Sequence, residues 1–265
     1  MSKILILIVF TLVVMASVWN TQAQQELIVD NPRPLAAAIQ SLEAKYGWQI
    51  NYEDPPYTNP KDLVDRTHPT YRGPYRAIDP KGGRLEIRYF VSPNTGKPES
   101  STSLLELLIE DHTRRGNPGQ FQLKMIEGLD SVVPVQGSIL DTRITVADKQ
   151  RAFGETLREI LQTLSRVTNV RVSGPAISQP SFQPFNFSAD NEPAREVLIR
   201  LFKNRADRQY SWHLLYAPGW GYAFNLHSQT KKRAELPQPT PTKRQELKEI
   251  TLPTGSKVKM FVNVP

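Results

Sequence analysis

An α+β fold is predicted by three observations. Apolar residues recur at helical spacing in four stretches, strand-like alternation flanks each of them, and the order of these elements runs twice along the chain. The expected architecture is two tandem βαββαββ units, each with two helices packed on a small mixed sheet. They span residues 25–137 and 140–228, after an N-terminal signal at 1–23 and before a basic flexible tail at 229–265.

Length and charge agree with this layout. A chain of 265 residues holds two small units, and a mean hydropathy of −0.43 is ordinary for a globular protein in water. The net charge is +7, of which Lys3 carries one and residues 231–265 a further five, so the body between them is left at +1. The body is nearly neutral and only the tail is basic, so no nucleic acid is expected as a partner. The chain has no cysteine, which excludes disulfides and thiolate metal sites.

Lys3, the apolar run Ile4 to Met15 and the small-residue exit at Thr21-Gln-Ala23 have the order of a secretory signal, with cleavage expected after Ala23. The expected location is the periplasm or the exterior. The alternative is an uncleaved leader that anchors the protein in the inner membrane, since Ala16 to Trp19 lengthen the apolar run.

In the first unit, Gln25 to Asp30 reads as a strand. Leu35, Ile39, Leu42 and Tyr46 then give a helix that ends at Gly47, and Trp48, Ile50 and Tyr52 alternate with Gln49, Asn51 and Glu53 as a second strand. The insertion Asp54 to Gly83 lacks regular pattern and contains Pro55, Pro56, Pro60, Pro69, Pro74 and Pro80. Its tyrosines Tyr57, Tyr71 and Tyr75 either form a recognition surface or pack the loop onto its own unit. Arg84 to Val91 is a strand. Ser103-Leu-Leu-Glu106 fits a capping box that opens a helix with Leu104, Leu105, Leu108 and Ile109 inside, and a hairpin follows over Phe121 to Ile126 and Ser131 to Gln136.

The second unit starts at Ile144-Thr-Val146. Phe153, Leu157, Ile160 and Leu164 repeat the spacing of Leu35, Ile39, Leu42 and Tyr46 at a separation of 118. Val197, Leu198, Leu201 and Phe202 repeat Leu104, Leu105, Leu108 and Ile109 at 93, because the second unit has the shorter insertion, at Gly174 to Pro184. Asn191 is the expected cap of that last helix and Pro193 its first turn. Trp212, Leu214 and Tyr216, the turn Ala217 to Gly221, and Tyr222, Phe224 and Leu226 form a final hairpin. Two helices on one face of a sheet leave the other face, or an edge strand, open to a partner.

The residues Glu155-Thr-Leu-Arg-Glu-Ile-Leu-Gln-Thr-Leu-Ser-Arg-Val-Thr-Asn-Val-Arg-Val172 resemble the first helix and following strand of the short N-terminal domain of secretins and TonB-dependent receptors. Phe185-Asn-Phe-Ser-Ala-Asp-Asn-Glu-Pro-Ala-Arg-Glu-Val-Leu-Ile-Arg-Leu-Phe202 is similar to that domain's next strand and second helix, and Pro34 to Tyr52 matches more weakly. The resemblance implies a non-catalytic envelope module that docks protein partners or cell-wall components, with no catalytic residue to carry over.

The tail from Thr230 to Thr254 reads as a linker. Val258, Met260, Val262 and Val264 alternate as a lone strand would, able to join a partner's sheet or this protein's own edge. Its basic charge suits peptidoglycan or an anionic membrane surface.

Motifs of hydrolases, nucleotide binders and zinc proteases are absent from the sequence, and no cofactor is expected. Of the four histidines, His213 and His227 fall on the strands of the last hairpin and come near one another if those strands pair. Two nitrogens without a third placed ligand do not define a metal centre, and no metal site is assigned. Glu110-Asp111-His112 reads as a solvated helix end. The alternative to a docking module is a cell-wall or small-ligand binding protein with its site between the two units.

Overall fold

The structure is a computed structural model that describes residues 23–73, 76–175, 183–204, 208–230, 245–251 and 257–263. The leader and Tyr75 lie outside the described residues. The fold is mixed α+β, and no helix among the described residues is long and apolar enough to cross a membrane.

Strand β1 (Ala23–Asn31) leads into α1 (Pro34–Tyr46). Proline suits the first turn of α1, and Gly47 ends the helix in the left-handed conformation, φ 70°, its N–H donating to the Glu43 carbonyl at 2.9 Å. Leu35, Ile39, Leu42 and Tyr46 are buried as their spacing predicts. Strand β2 (Ile50–Glu53) follows, then the insertion, which carries two short paired strands, β3 (Leu63–Asp65) and β4 (Ile78–Pro80). Three residues are too few to display a period, so these strands leave no trace in the sequence pattern. Strand β5 (Gly83–Val91) pairs antiparallel with β1.

Helix α2 (Ser101–Arg114) begins earlier than expected. Its cap is Ser100, which accepts from the Ser103 N–H at 3.2 Å, so the box at Ser103 and Glu106 is not the opening. The extra turn is held by Asp130, which accepts from the hydroxyls of Ser101 at 2.6 Å and Thr102 at 3.2 Å. The hairpin β6 (Phe121–Ile126) and β7 (Leu129–Pro134) follows.

The second half runs β8 (Arg143–Arg151), α3 (Phe153–Thr168), β9 (Val172–Ser173), β10 (Phe185–Pro193), α4 (Ala194–Lys203), β11 (Arg208–Ala217) and β12 (Gly221–Thr230). Strands β8 and β10 pair antiparallel with shifts in register, and Asn191 sits in that irregular stretch at φ 49°. It therefore does not cap α4, whose preceding residue is Pro193.

The stretches 25–137 and 140–228 share one six-stranded sheet in the order β6-β7-β2-β11-β12-β9. Its centre is the parallel pair β2 and β11, with His213 opposite Tyr52 and Leu214 opposite Glu53. Along these strands alternate residues enter different cores. Ile50 and Tyr52 join Leu35, Ile39, Leu105 and Leu108, whereas Trp212 and Leu214 join Phe153, Leu157, Ile160 and Phe202.

At this seam both faces of the sheet are covered, which corrects the expectation of an open far face. All four residues of β2 are buried, Asn51 and Glu53 included, because the second half supplies their cover.

The described residues up to Gln229 form one compact unit, and those from Thr230 onward form another. The expected lone terminal strand is paired: β13 (Gln245–Thr251) runs antiparallel to β14 (Lys257–Asn263), with Leu247 opposite Phe261 and Glu249 opposite Lys259. A strand leaves its backbone donors and acceptors unmatched until another lies beside it, and Gln245 to Thr251, read as linker, fills that need.

Candidate functional site

Most of the buried charge in the body gathers where β2 meets β11. Asp54, directly after β2, is a hub. One carboxylate oxygen accepts from the hydroxyls of Tyr52 at 2.6 Å and Tyr57 at 3.0 Å. The other accepts from Arg33 Nε at 2.8 Å and the Tyr216 N–H at 3.0 Å, and Arg33 also donates to the Tyr216 carbonyl at 2.6 Å. Opposing charge and four donors offset the cost of taking this carboxylate out of water. One residue earlier in the chain, Glu53 accepts from Nε and Nη2 of Arg195 from α4.

On the face of the seam away from Glu53, Glu43 of α1 reaches His213 of β11 and His227 of β12. Glu43 and His213 are each 4% exposed, and His227 is partly buried. Glu43 Oε1 accepts from the Ile50 N–H at 3.1 Å and the Ser211 hydroxyl at 2.6 Å. Its Oε2 lies 3.3 Å from His213 Nε2 and 3.8 Å from His227 Nδ1. The two imidazole rings stand 4.3 Å apart between centroids.

Electrostatics in this cluster are mutual. Burial alone would raise the Glu43 carboxyl, but the His213 imidazole, the Ser211 hydroxyl and the Ile50 N–H outweigh it and hold the group below the ordinary carboxylate range. Burial and the neighbouring His213 lower His227 against the pull of Glu43. The arrangement brings together two nitrogens and one carboxylate oxygen within 4.8 Å of one another, the donor set of a transition-metal site.

The sequence singled out the two histidines but not Glu43 or Ser211. Glu43 carried a signal: it follows Ile39 by four and precedes Tyr46 by three, a carboxylate on the apolar face of its helix.

The other sequence candidates are dispersed. Tyr57 is buried with its hydroxyl on Asp54, so it packs the insertion onto the body and is not a contact residue. Tyr71 is 45% exposed. Val258, Met260 and Val262 lie on β14, opposite Ile250, Lys248 and Glu246 in register. Glu110-Asp111-His112 is not a solvated helix end: Asp111 and His112 are buried, Asp111 accepting from the Glu86 N–H at 2.8 Å and from Arg114 and Arg115, while His112 lies edge-on to Phe121.

A cleft of about 590 Å³ opens beside Pro56, Ile139, Val170, Tyr216, Trp220 and Tyr222, and its walls include no carboxylate or imidazole. Fold and site together define an α+β protein whose two halves are joined by a buried polar seam through one mixed sheet. No family model, no curated protein and no solved structure matches the chain.

Proposed function

We propose that the protein is a non-catalytic docking module of the bacterial cell envelope, working in the periplasm or outside the cell after export, or anchored there by its leader. It is built from two tandem βαββαββ units of the secretin and TonB short N-terminal kind, and it recruits an envelope protein through sheet edges, with the insertion and tail as further contacts. The observation that carries this reading is the seam. There β2, the outer strand of the β6-β7-β2 ribbon, pairs parallel with β11, the outer strand of β11-β12-β9. One half of the chain thus already docks on the other by adding strand to strand, the general mode of β-augmentation.

Two edges of the same sheet remain. Among the described residues β6 pairs only with β7, and β9 only with β12. Strand β6 presents Met125, 62% exposed, beside the exposed Lys124. The apolar cleft beside Trp220 offers a second contact, with Tyr and Trp supplying area at low entropic cost. The basic tail suits peptidoglycan or anionic lipid, and no nucleic acid is a partner of this reading.

The test is photo-crosslinking in the producing cell from residue analogues placed at Lys124, Met125 and Trp220. A discrete adduct with one envelope protein from β6 is expected. A protein that yields no adduct from any of the three positions, while present and folded, would overturn the reading.

A further inference from the structure

We propose that Glu43, His213 and His227 bind one divalent transition-metal ion of the zinc class, which clamps α1 of the first half to the β11–β12 hairpin of the second. The donors come from separate elements, and each has the chemistry such an ion takes: two imidazoles and one carboxylate. Calcium and magnesium prefer all-oxygen shells and do not fit this set.

Three features separate a ligand site from a plain ion pair. The first is spacing. Zinc bonds of about 2.0–2.2 Å set tetrahedral ligands roughly 3.3–3.6 Å apart, whereas a charge-assisted hydrogen bond closes to about 2.7–2.9 Å. Glu43 Oε2 stands 3.3 Å from His213 Nε2, within that ligand range, and 3.8 Å from His227 Nδ1, slightly wider than it and well outside hydrogen-bond closure.

The second is orientation. Glu43 Oε1 is fixed by the Ile50 N–H and the Ser211 hydroxyl, which turns Oε2 toward the imidazoles. Metal-binding carboxylates are characteristically held in this way by donors that do not touch the ion. The third is His213 Nε2, buried and without a hydrogen-bond partner, its contact with Glu43 being too poorly aligned to count as one. A buried nitrogen left so is costly unless something else engages it. With three protein donors, the fourth position falls to water at the side where His227 is partly exposed.

The experiment is titration of the purified, tag-free full chain with zinc chloride by calorimetry, and with cobalt chloride by visible absorption, at neutral pH. One equivalent is expected to bind, with the cobalt form showing the intense bands of tetrahedral coordination. His227→Ala, at the partly exposed position, should stay folded by circular dichroism and weaken zinc by more than about 100-fold, with the cobalt bands lost; Ser211→Ala should weaken it by about 10-fold. His68→Ala, in the exposed insertion, should bind like the parent. Absence of saturable zinc binding by the parent chain, or equal binding by the folded His227→Ala variant, overturns the proposal. Either result leaves the docking reading standing, because that rests on crosslinks from the sheet edges.

Discussion

Arg195 clasps Glu53 through two parallel hydrogen bonds, Nε to Oε1 at 2.8 Å and Nη2 to Oε2 at 2.7 Å. The arginine comes from α4 and the glutamate from β2, so the fork ties the two halves together across 142 residues of chain. Glu53 is fully buried, while Arg195 has a second carboxylate, Asp141, on its other arm. The two partners are therefore unequal. Arg195→Met leaves a buried carboxylate with both of those bonds gone and should cost about 3–5 kcal/mol. Glu53→Gln keeps Arg195 on Asp141 and should cost less, about 1–3 kcal/mol. Urea unfolding of both variants checks the order, and a costlier Glu53→Gln would contradict it.

Gly221 opens β12 at φ 90°, and a Cβ there would stand 2.1 Å from the Arg171 carbonyl oxygen. That oxygen accepts from the Tyr222 N–H at 2.8 Å, one of the bonds that bring the short strand β9 to the sheet. Neither backbone can give way without loosening the pairing. Gly221→Ala should destabilise the body by roughly 2 kcal/mol or more, read from the thermal or urea midpoint.

Burial lowers His112 from 6.5 to about 4, against an opposing pull from Asp111. The folded state thus holds this imidazole neutral where the unfolded chain would protonate it. Its contribution to stability is complete above pH 6.5 and is lost as the pH falls toward 4, by about 3 kcal/mol across that window. His227 is lowered as well and acts in the same sense. His112→Leu removes the proton site without stranding a partner of Nδ1, which has none. Stability of that variant, measured by urea midpoint from pH 7 to 4, should fall less steeply than that of the parent.

Met125→Lys places a charge on the exposed side of β6, a device that natural edge strands use against pairing. Stability should stay within about 0.5 kcal/mol of the parent, since the side chain already faces water. The crosslinked adduct from Lys124 should disappear. Retention of that adduct with unchanged yield would remove β6 as the docking edge.

Periodicity along the chain was enough to place the helices and the last hairpin. Leu35, Ile39, Leu42 and Tyr46, and likewise Phe153, Leu157, Ile160 and Leu164, sit in two separate cores because each four share one side of a 3.6-residue turn. Gly47 stops α1 for an equally local reason, its left-handed backbone. What local pattern could not carry is the partner of an edge. Asn51 and Glu53 look like the outward residues of a half-buried strand and are instead fully enclosed, because β11, some 160 residues later, lies beside them.

The same pairing brings Glu43 to His213 and His227, and Asp54 to Arg33 and Tyr216. By itself the sequence determined which side of each helix is oily and where each helix stops, since those depend on neighbours within a few residues. Only the tertiary structure decided which charges meet out of water. Coulombic and hydrogen-bond partners are chosen by distance in space, and two strands join wherever unpaired backbone edges are brought together.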